Sequence, residues 1–307
     1  MSCTATIKPR VSVAIPTFNR PQGLKNTLEN ICVQTYENLE IIICDNCSPG
    51  DETRKVVDLF TASDKRIVYM RHDANIGPFN NFKSGLERAE GDYFMWAADD
   101  DMWKNDFIES CLNVHLSDPN RYASVMTESQ YFWRDKFFPF FAEGRPFYYN
   151  YCQNWIAQNQ HVLEHAYGNL FYGLFKRKAL LLGNKSIFSV IRQRSLNEIP
   201  LLLFASKHGE FRVLDTVKFF KQAPYRVYVQ AKWEIEGGKL PNHTITKQLL
   251  SMPGTIKYHY LTMLDILKTI SILDLDVTAS KELKKQLFYK LMTHLCHLVS
   301  GRKQSRL

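Results

Sequence analysis

Four short runs of β-branched and aromatic residues punctuate the first hundred positions: VSVAI at 11–15, LEIIIC at 39–44, RIVYM at 66–70 and DYFMWA at 92–97. Their apolar residues run on rather than alternate, the pattern of strands buried on both faces. The segments between them repeat with the period of a helix. Pro21 sits where a helix begins, and Leu24, Leu28, Ile31 and Cys32 follow at i, i+4, i+7 and i+8. Residues 51–63 carry Val56, Val57 and Phe60 among charges, and residues 79–90 put Phe82, Leu86 and Ala89 on one face. Strand and helix in alternation, without hairpin signals, predict right-handed crossovers: an α/β fold with a mostly parallel sheet flanked by helices.

Polar residues fall where such a sheet binds ligands, outside the carboxyl ends of its strands. Thr17, Asn19 and Arg20 follow the first run, Asp45 and Asn46 the second, Asp73 and Asn75 the third, and Asp99, Asp100 and Asp101 the fourth. The last set stands in YFMWAADDDMW, an apolar strand that delivers three adjacent carboxylates to the rim. Such charges repel one another unless a cation neutralises them. Mg²⁺ or Mn²⁺ takes oxygen ligands and keeps positions open for phosphates. The competing reading is a solvated acidic turn with Asp101 or Asn105 as the cap of the next helix. The convergence of four polar sets on one rim favours a site.

Two other phosphate sites are excluded. The stretch IPTFNRPQG has no glycine before Gly23, where a dinucleotide fingerprint needs three, and the chain has no glycine-rich loop ending in Gly-Lys-Ser/Thr. Phosphate therefore falls to a metal. Cys44 and Cys47 in ICDNCSP have the spacing of half a zinc site, but no second pair follows, so they read as small residues at a strand end.

At 307 residues, 45% hydrophobic and 23% charged, the composition suits one large domain, alone or with an appendage. The N-terminus lacks the apolar core of a secretory signal, and no window reaches the roughly 18 apolar residues of a bilayer span. Seven irregularly spaced cysteines suit a reducing compartment. A cytoplasmic protein is expected. The net charge of +8 is uneven, with nine Lys and Arg against four acids in residues 255–307. There Leu283, Leu287, Phe288, Leu291, Met292, Leu295, Leu298 and Val299 line one helical face. Such a basic amphipathic helix is either an interfacial anchor on the inner face of a membrane or a helix packing its stripe onto the rest of the chain. Basic and aromatic residues do not interleave as in a nucleic-acid module, so no nucleic acid is expected as partner.

The segments VSVAIPTFNRPQGLKNTLENICVQTYENLEIIICDNCSPG and HDANIGPFNNFKSGLERAEGDYFMWAADDD, in that order, resemble the inverting nucleotide-sugar glycosyltransferases of family 2, which have the GT-A fold. GNLFYGLFKRKALL and RSLNEIPLLLFASKHGEF extend the likeness more weakly over 165–226. The resemblance implies a catalytic domain at 1–250, its nucleotide-sugar half at 1–105 and its acceptor half at 106–250, with a helical basic extension at 251–307. It implies that Pro16, Thr17 and Asn19 contact base and ribose, that Asp45 reads the base, and that Asn75 and Gly77 form an asparagine-x-glycine loop. Lys83 lies where a cation could reach a phosphate. Asp99 falls near ribose or sugar, with Asp100 or Asp101 on a Mn²⁺ or Mg²⁺ ion and His243, in PNHT, as a late ligand. Glu198 stands where the family places the base that deprotonates the acceptor, with an ordinary first-turn glutamate as the plain alternative. Two positions depart from the pattern: Ala98 aligns with the usual first aspartate, and FNNF at 79–82 replaces alanine-arginine-asparagine. Residues 131–151, eleven of them aromatic, read as an acceptor wall or as ordinary core. The implied activity is metal-dependent transfer from a nucleotide-diphosphate sugar, UDP-sugar favoured, to a glycan or lipid-linked glycan in bacterial surface polysaccharide synthesis. The alternative is a non-catalytic scaffold that only binds the nucleotide sugar.

Overall fold

The computed structural model describes residues 8–133, 136–139, 168–191, 198–222, 253–273 and 275–300. The alternation read from the sequence is present. Strand β1 (Val11–Thr17) leads through α1 (Pro21–Ile31) to β2 (Leu39–Asp45), then through α2 (Glu52–Thr61) to β3 (Ile67–Arg71), and through α3 (Gly77–Arg88) to β4 (Tyr93–Trp96). These four strands lie parallel in the order β3-β2-β1-β4. The order reverses beside β1, and a doubly wound sheet opens its ligand crevice at that reversal.

Every residue of β1, β2 and β4 is buried, as their unbroken apolar runs require. Helix α3 sits so close over β1 that a Cβ on Gly85 would lie 2.6 Å from the Ala14 Cβ. Trp96 is completely buried at the end of β4. Its ring stacks on Phe171 at 4.3 Å between centroids and its Nε1–H donates to the Phe82 carbonyl at 3.0 Å. The strand that carries the aspartates therefore ends on a rigid aromatic anchor.

The second half widens the sheet. The short β5 (Met102–Trp103) precedes α4 (Phe107–Ser117), β6 (Tyr122–Trp133) and β7 (Lys136–Pro139), and β8 (Leu174–Lys176) inserts antiparallel between β4 and β6. A two-stranded ribbon, β9 (Leu181–Leu182) with β10 (Lys185–Ser186), leads towards α5 (Glu198–Ala205). Strand β11 (Glu210–Gln222) then pairs parallel to β6 and antiparallel to β5. Among the described residues the sheet reads β3-β2-β1-β4-β8-β6-β11-β5, with β7 on β6. Because β8 is antiparallel to both β4 and β6, the strands β4, β6 and β11 run the same way, so β11 ends on the rim of the aspartates.

The chain closes with two long helices, α6 (Pro253–Ile272) and α7 (Val277–Ser300). Helix α6 packs on α5, burying Ile266 and Ile270, and α7 packs on α6. Leu283, first residue of the apolar stripe, is fully buried, whereas Phe288 and Tyr289 are exposed. The aromatic run beyond Phe132 lies largely outside the residues whose side chains are described.

Candidate functional site

The loop after β1 turns through Asn19, whose φ of 53° lies in the left-handed region that asparagine tolerates. Its N–H donates to Ser48 Oγ at 2.8 Å, and the Asn46 N–H donates to the Thr17 carbonyl at 3.0 Å, which ties the first two rim loops together. Asp45 is only 1% exposed. Its Oδ1 accepts the Ser48 N–H at 2.8 Å and its Oδ2 the Tyr69 hydroxyl at 2.7 Å, with Arg71 Nε at 3.4 Å. Burial and the Asp45 carboxylate push the Tyr69 hydroxyl well above its ordinary range. Asp45 thus braces the loop.

Asn75 and Gly77 form the expected turn. Asn75 Oδ1 accepts from Asn46 Nδ2 and from the Gly77 N–H, both at 2.9 Å, while Asn46 Oδ1 accepts the Ile76 N–H at 2.8 Å. Gly77 has φ 81°, which costs a glycine nothing. Lys83 pairs at 3.6 Å with Glu87 one turn further along α3. Pro16 is buried within β1.

The aspartates separate into two environments. Asp99 Oδ2 accepts the Thr17 hydroxyl at 2.7 Å, and one nitrogen of Arg20, Nη1, donates to Asp99 Oδ1 at 2.9 Å and to Asp100 Oδ2 at 2.7 Å. The bond to Asp100, more than that to Asp99, raises the guanidinium above its usual range. Burial pushes the Asp99 carboxyl up, and its bonds from Thr17 and Arg20 oppose this. Asp101 turns the other way. It is 2% exposed, its Oδ1 accepts the Gln222 N–H at 2.9 Å, its Oδ2 has no hydrogen bond, and Lys221 Nζ stands 3.9 Å away. Burial pushes its carboxyl up to about 7. Helix α1 presses on this segment: a Cβ on Gly23 would meet the Asp99 carbonyl oxygen at 2.1 Å.

Glu198 opens α5, half-buried, with Pro200 through Ala205 buried behind it. Burial raises its carboxyl, opposed by its own backbone N–H and by Lys221. The Tyr172 hydroxyl is raised well above its ordinary range by burial first, then by the charges of Asp101, Glu198, Asp100 and Asp99. The Lys221 ammonium lies 4.1 Å from the Tyr172 ring centroid and 3.9 Å from Asp101 Oδ2, which brings Tyr172 to the rim of the aspartates.

Arg20 and Lys221 place two cations beside the triplet, so the protein itself meets part of its charge. Among the described residues no three His, Cys, Asp or Glu side chains gather as a metal cage, and His243 lies outside them. The donor chemistry nevertheless fits a hard divalent ion: adjacent carboxylates at a ligand rim, one buried oxygen of Asp101 without a hydrogen bond, and two carboxylates already sharing one cation.

Residues 12–198 match the family model described as glycosyl transferase family 2. The chain belongs to that family. This member is 34% identical over 119 residues to the GalNAc(5)-diNAcBac-PP-undecaprenol beta-1,3-glucosyltransferase of Campylobacter jejuni, covering 38% of this chain and 37% of the relative. It is 33% identical over 118 residues to the abequosyltransferase RfbV of Salmonella typhimurium, covering 35% of each. The chain thus spans well under half the length of these relatives. Its fold is similar to that of S. aureus TarS 1–349 in complex with UDP-GlcNAc, with a TM-score of 0.58 at 14% identity over 91% of this chain and 71% of that one. The GT-A architecture expected from the sequence is therefore present.

Tyr172 and Lys221 carry no role in the sequence pattern. Each had a signal: Tyr172 stands in GNLFYG, part of the family likeness, and Lys221 is the last but one residue of a long strand that follows Glu198. What the sequence hid was the direction of β11, which depends on the antiparallel insertion of β8.

Proposed function

We propose that this chain transfers a sugar, with inversion, from a nucleotide-diphosphate donor to a hydroxyl of a bacterial surface glycan or its lipid-linked precursor. The observation that carries this is the aspartate run at the carboxyl ends of the parallel strands, tied to the first rim loop by the Thr17–Asp99 bond and to the end of β11 by the Gln222–Asp101 bond, in a chain of glycosyl transferase family 2. The names of the two bacterial relatives, both sugar transferases, support the reaction class. The UDP-GlcNAc held by TarS makes UDP-sugars the first donors to test.

In this reading the nucleotide lies along the first three rim loops, contacted by Pro16, Thr17, Asn19, Asp45 and the Asn75–Gly77 turn, with Asp99 towards the ribose or sugar. A divalent ion, Mn²⁺ or Mg²⁺, held by Asp100 and Asp101 with His243 as a further ligand, would offset the charge of the leaving diphosphate. Glu198 takes the proton from the acceptor hydroxyl as its oxygen attacks the anomeric carbon. Burial of Glu198 raises its proton affinity, which brings a carboxylate closer to what a base at neutral pH requires. The hydrophobic body of α5 holds its Cα.

The test is a panel of UDP- and GDP-sugars with Mn²⁺ and a lipid-linked acceptor, reading free nucleotide and the anomeric configuration of the product. An inverted product supports the proposal. Donor binding without turnover on any acceptor would favour the scaffold alternative.

A further inference from the structure

Lys221 is the penultimate residue of β11, and its ammonium is held in an unusual way. Nζ lies 4.1 Å from the centroid of the Tyr172 ring and 3.9 Å from Asp101 Oδ2. The second distance is too long for a hydrogen bond. Among the described residues no acceptor lies within hydrogen-bond range of Nζ, and the buried Asp101 Oδ2 likewise has no hydrogen bond. A simple buried ion pair would close to about 2.8 Å. Here the backbone holds the two residues instead, because the Gln222 N–H is fixed on Asp101 Oδ1. The ammonium rests on the ring as a platform, with about a quarter of the side chain exposed. Three N–H donors and no acceptor leave this cation directed at a ligand.

The ligand it can take follows from its neighbours. Lys221 stands 3.9 Å from Asp101 on the rim of the donor carboxylates, and its charge also opposes the rise in Glu198. The group that passes there in the reaction is the bond from the anomeric carbon to the donor's phosphate. When that bond breaks its electron pair goes to the phosphoryl oxygen, the acceptor oxygen bonds to carbon, and the hydroxyl proton goes to Glu198. We propose that Lys221, held on Tyr172, is a ligand for a phosphoryl oxygen of the donor's leaving diphosphate. This rests on the glycosyltransferase reading above. Lysine is suited to the role as a compact point charge that accepts a moving oxygen without fixed fork geometry.

Titration calorimetry with Mn²⁺ tests it, using UDP, GDP, UMP and uridine on the full chain and on Lys221→Met, Lys221→Gln and Lys221→Arg, each with a melting curve. The neutral variants should lose about 10-fold or more in affinity for the diphosphate that the wild type prefers, with uridine binding unchanged and Lys221→Arg largely restored. Tyr172→Leu, which removes the platform, should lose part of the same increment. Equal diphosphate affinity in folded neutral variants overturns the assignment, as does an equal loss for uridine. Failure of both neutral variants to fold would make Lys221 a structural residue and also overturn it. If the wild type binds no nucleoside diphosphate at all, the donor reading itself falls, an outcome distinct from the variants matching a wild type that binds.

Discussion

Arg20 Nη1 sits 2.9 Å from Asp99 Oδ1 and reaches Asp100 with the same nitrogen, so one guanidinium spans the two carboxylates. Arg20 is about half exposed, which makes the pair weak in stability terms. Its consequence lies in competition. A divalent ion held by Asp100 and Asp101 meets, at Asp100, the Arg20 cation already paired with that carboxylate. Arg20→Ala should therefore bind Mn²⁺ in the absence of nucleotide more tightly than the wild type, by several-fold, read as loss of the free Mn²⁺ signal in electron paramagnetic resonance. Unchanged Mn²⁺ affinity would show that the ion does not use these oxygens.

Glu198→Gln keeps shape and burial while removing the proton acceptor. It should fold, bind donor as the wild type does, and lose on the order of 100-fold or more in transfer rate. Wild-type turnover in this variant would move the base elsewhere, and Tyr172 places the search among the acids around it.

The sequence made the four parallel strands, their helices and the rim legible because burial on both faces leaves an unbroken apolar run, and the strand ends coincide with polar residues. It also delivered Asp45, Asn75 and the aspartates to the rim. It did not show that Asp45 spends both oxygens on Ser48 and Tyr69, nor that the aspartates divide between Arg20 and Lys221. Apart from the Asp45–Ser48 bond, those pairings join residues 24 to 120 positions apart, and they depend on loop conformation and on the insertion of β8. Periodicity carries neither.

His115 gives the fold a pH dependence of its own. It is fully buried in α4, its Nε2–H donates to the Leu174 carbonyl at 2.8 Å, and burial pushes its pKa down to about 4. The unfolded chain takes up the proton near pH 6.5, the folded chain only near 4, so stability is full above 6.5 and falls as pH drops between the two. The loss should be about 3 kcal/mol. Urea melts at pH 7 and pH 4.5 should show most of this difference in the wild type and a smaller one in His115→Gln. Equal pH dependence would mean that the imidazole is already protonated in the folded state.

Gly23 tests the coupling of α1 to the aspartate segment. Alanine there places a methyl against the Asp99 carbonyl oxygen at 2.1 Å, so the helix or the segment must shift. Gly23→Ala should cost about 1–3 kcal/mol by overpacking and weaken nucleoside diphosphate binding, read by calorimetry beside a melting curve. Normal binding in Gly23→Ala would show that the segment adapts without moving its carboxylates.

The last helix distinguishes packing from membrane contact within a single turn and a half. Leu283 is fully buried, whereas Phe288 and Tyr289 are more than half exposed beside the exposed Lys284 and Lys285. The stripe is thus not uniform: its first residue belongs to the core, and the aromatic pair is free to meet a surface. Leu283→Ala should cost about 2–5 kcal/mol without changing any attraction to anionic liposomes. Phe288→Ser with Tyr289→Ser should leave the melting curve nearly unmoved yet weaken liposome binding. That binding should itself decline with salt, since screening sets in over about 8 Å at physiological ionic strength. A full-length chain that ignores anionic liposomes at low salt would remove the membrane reading and leave α7 as a packing helix alone.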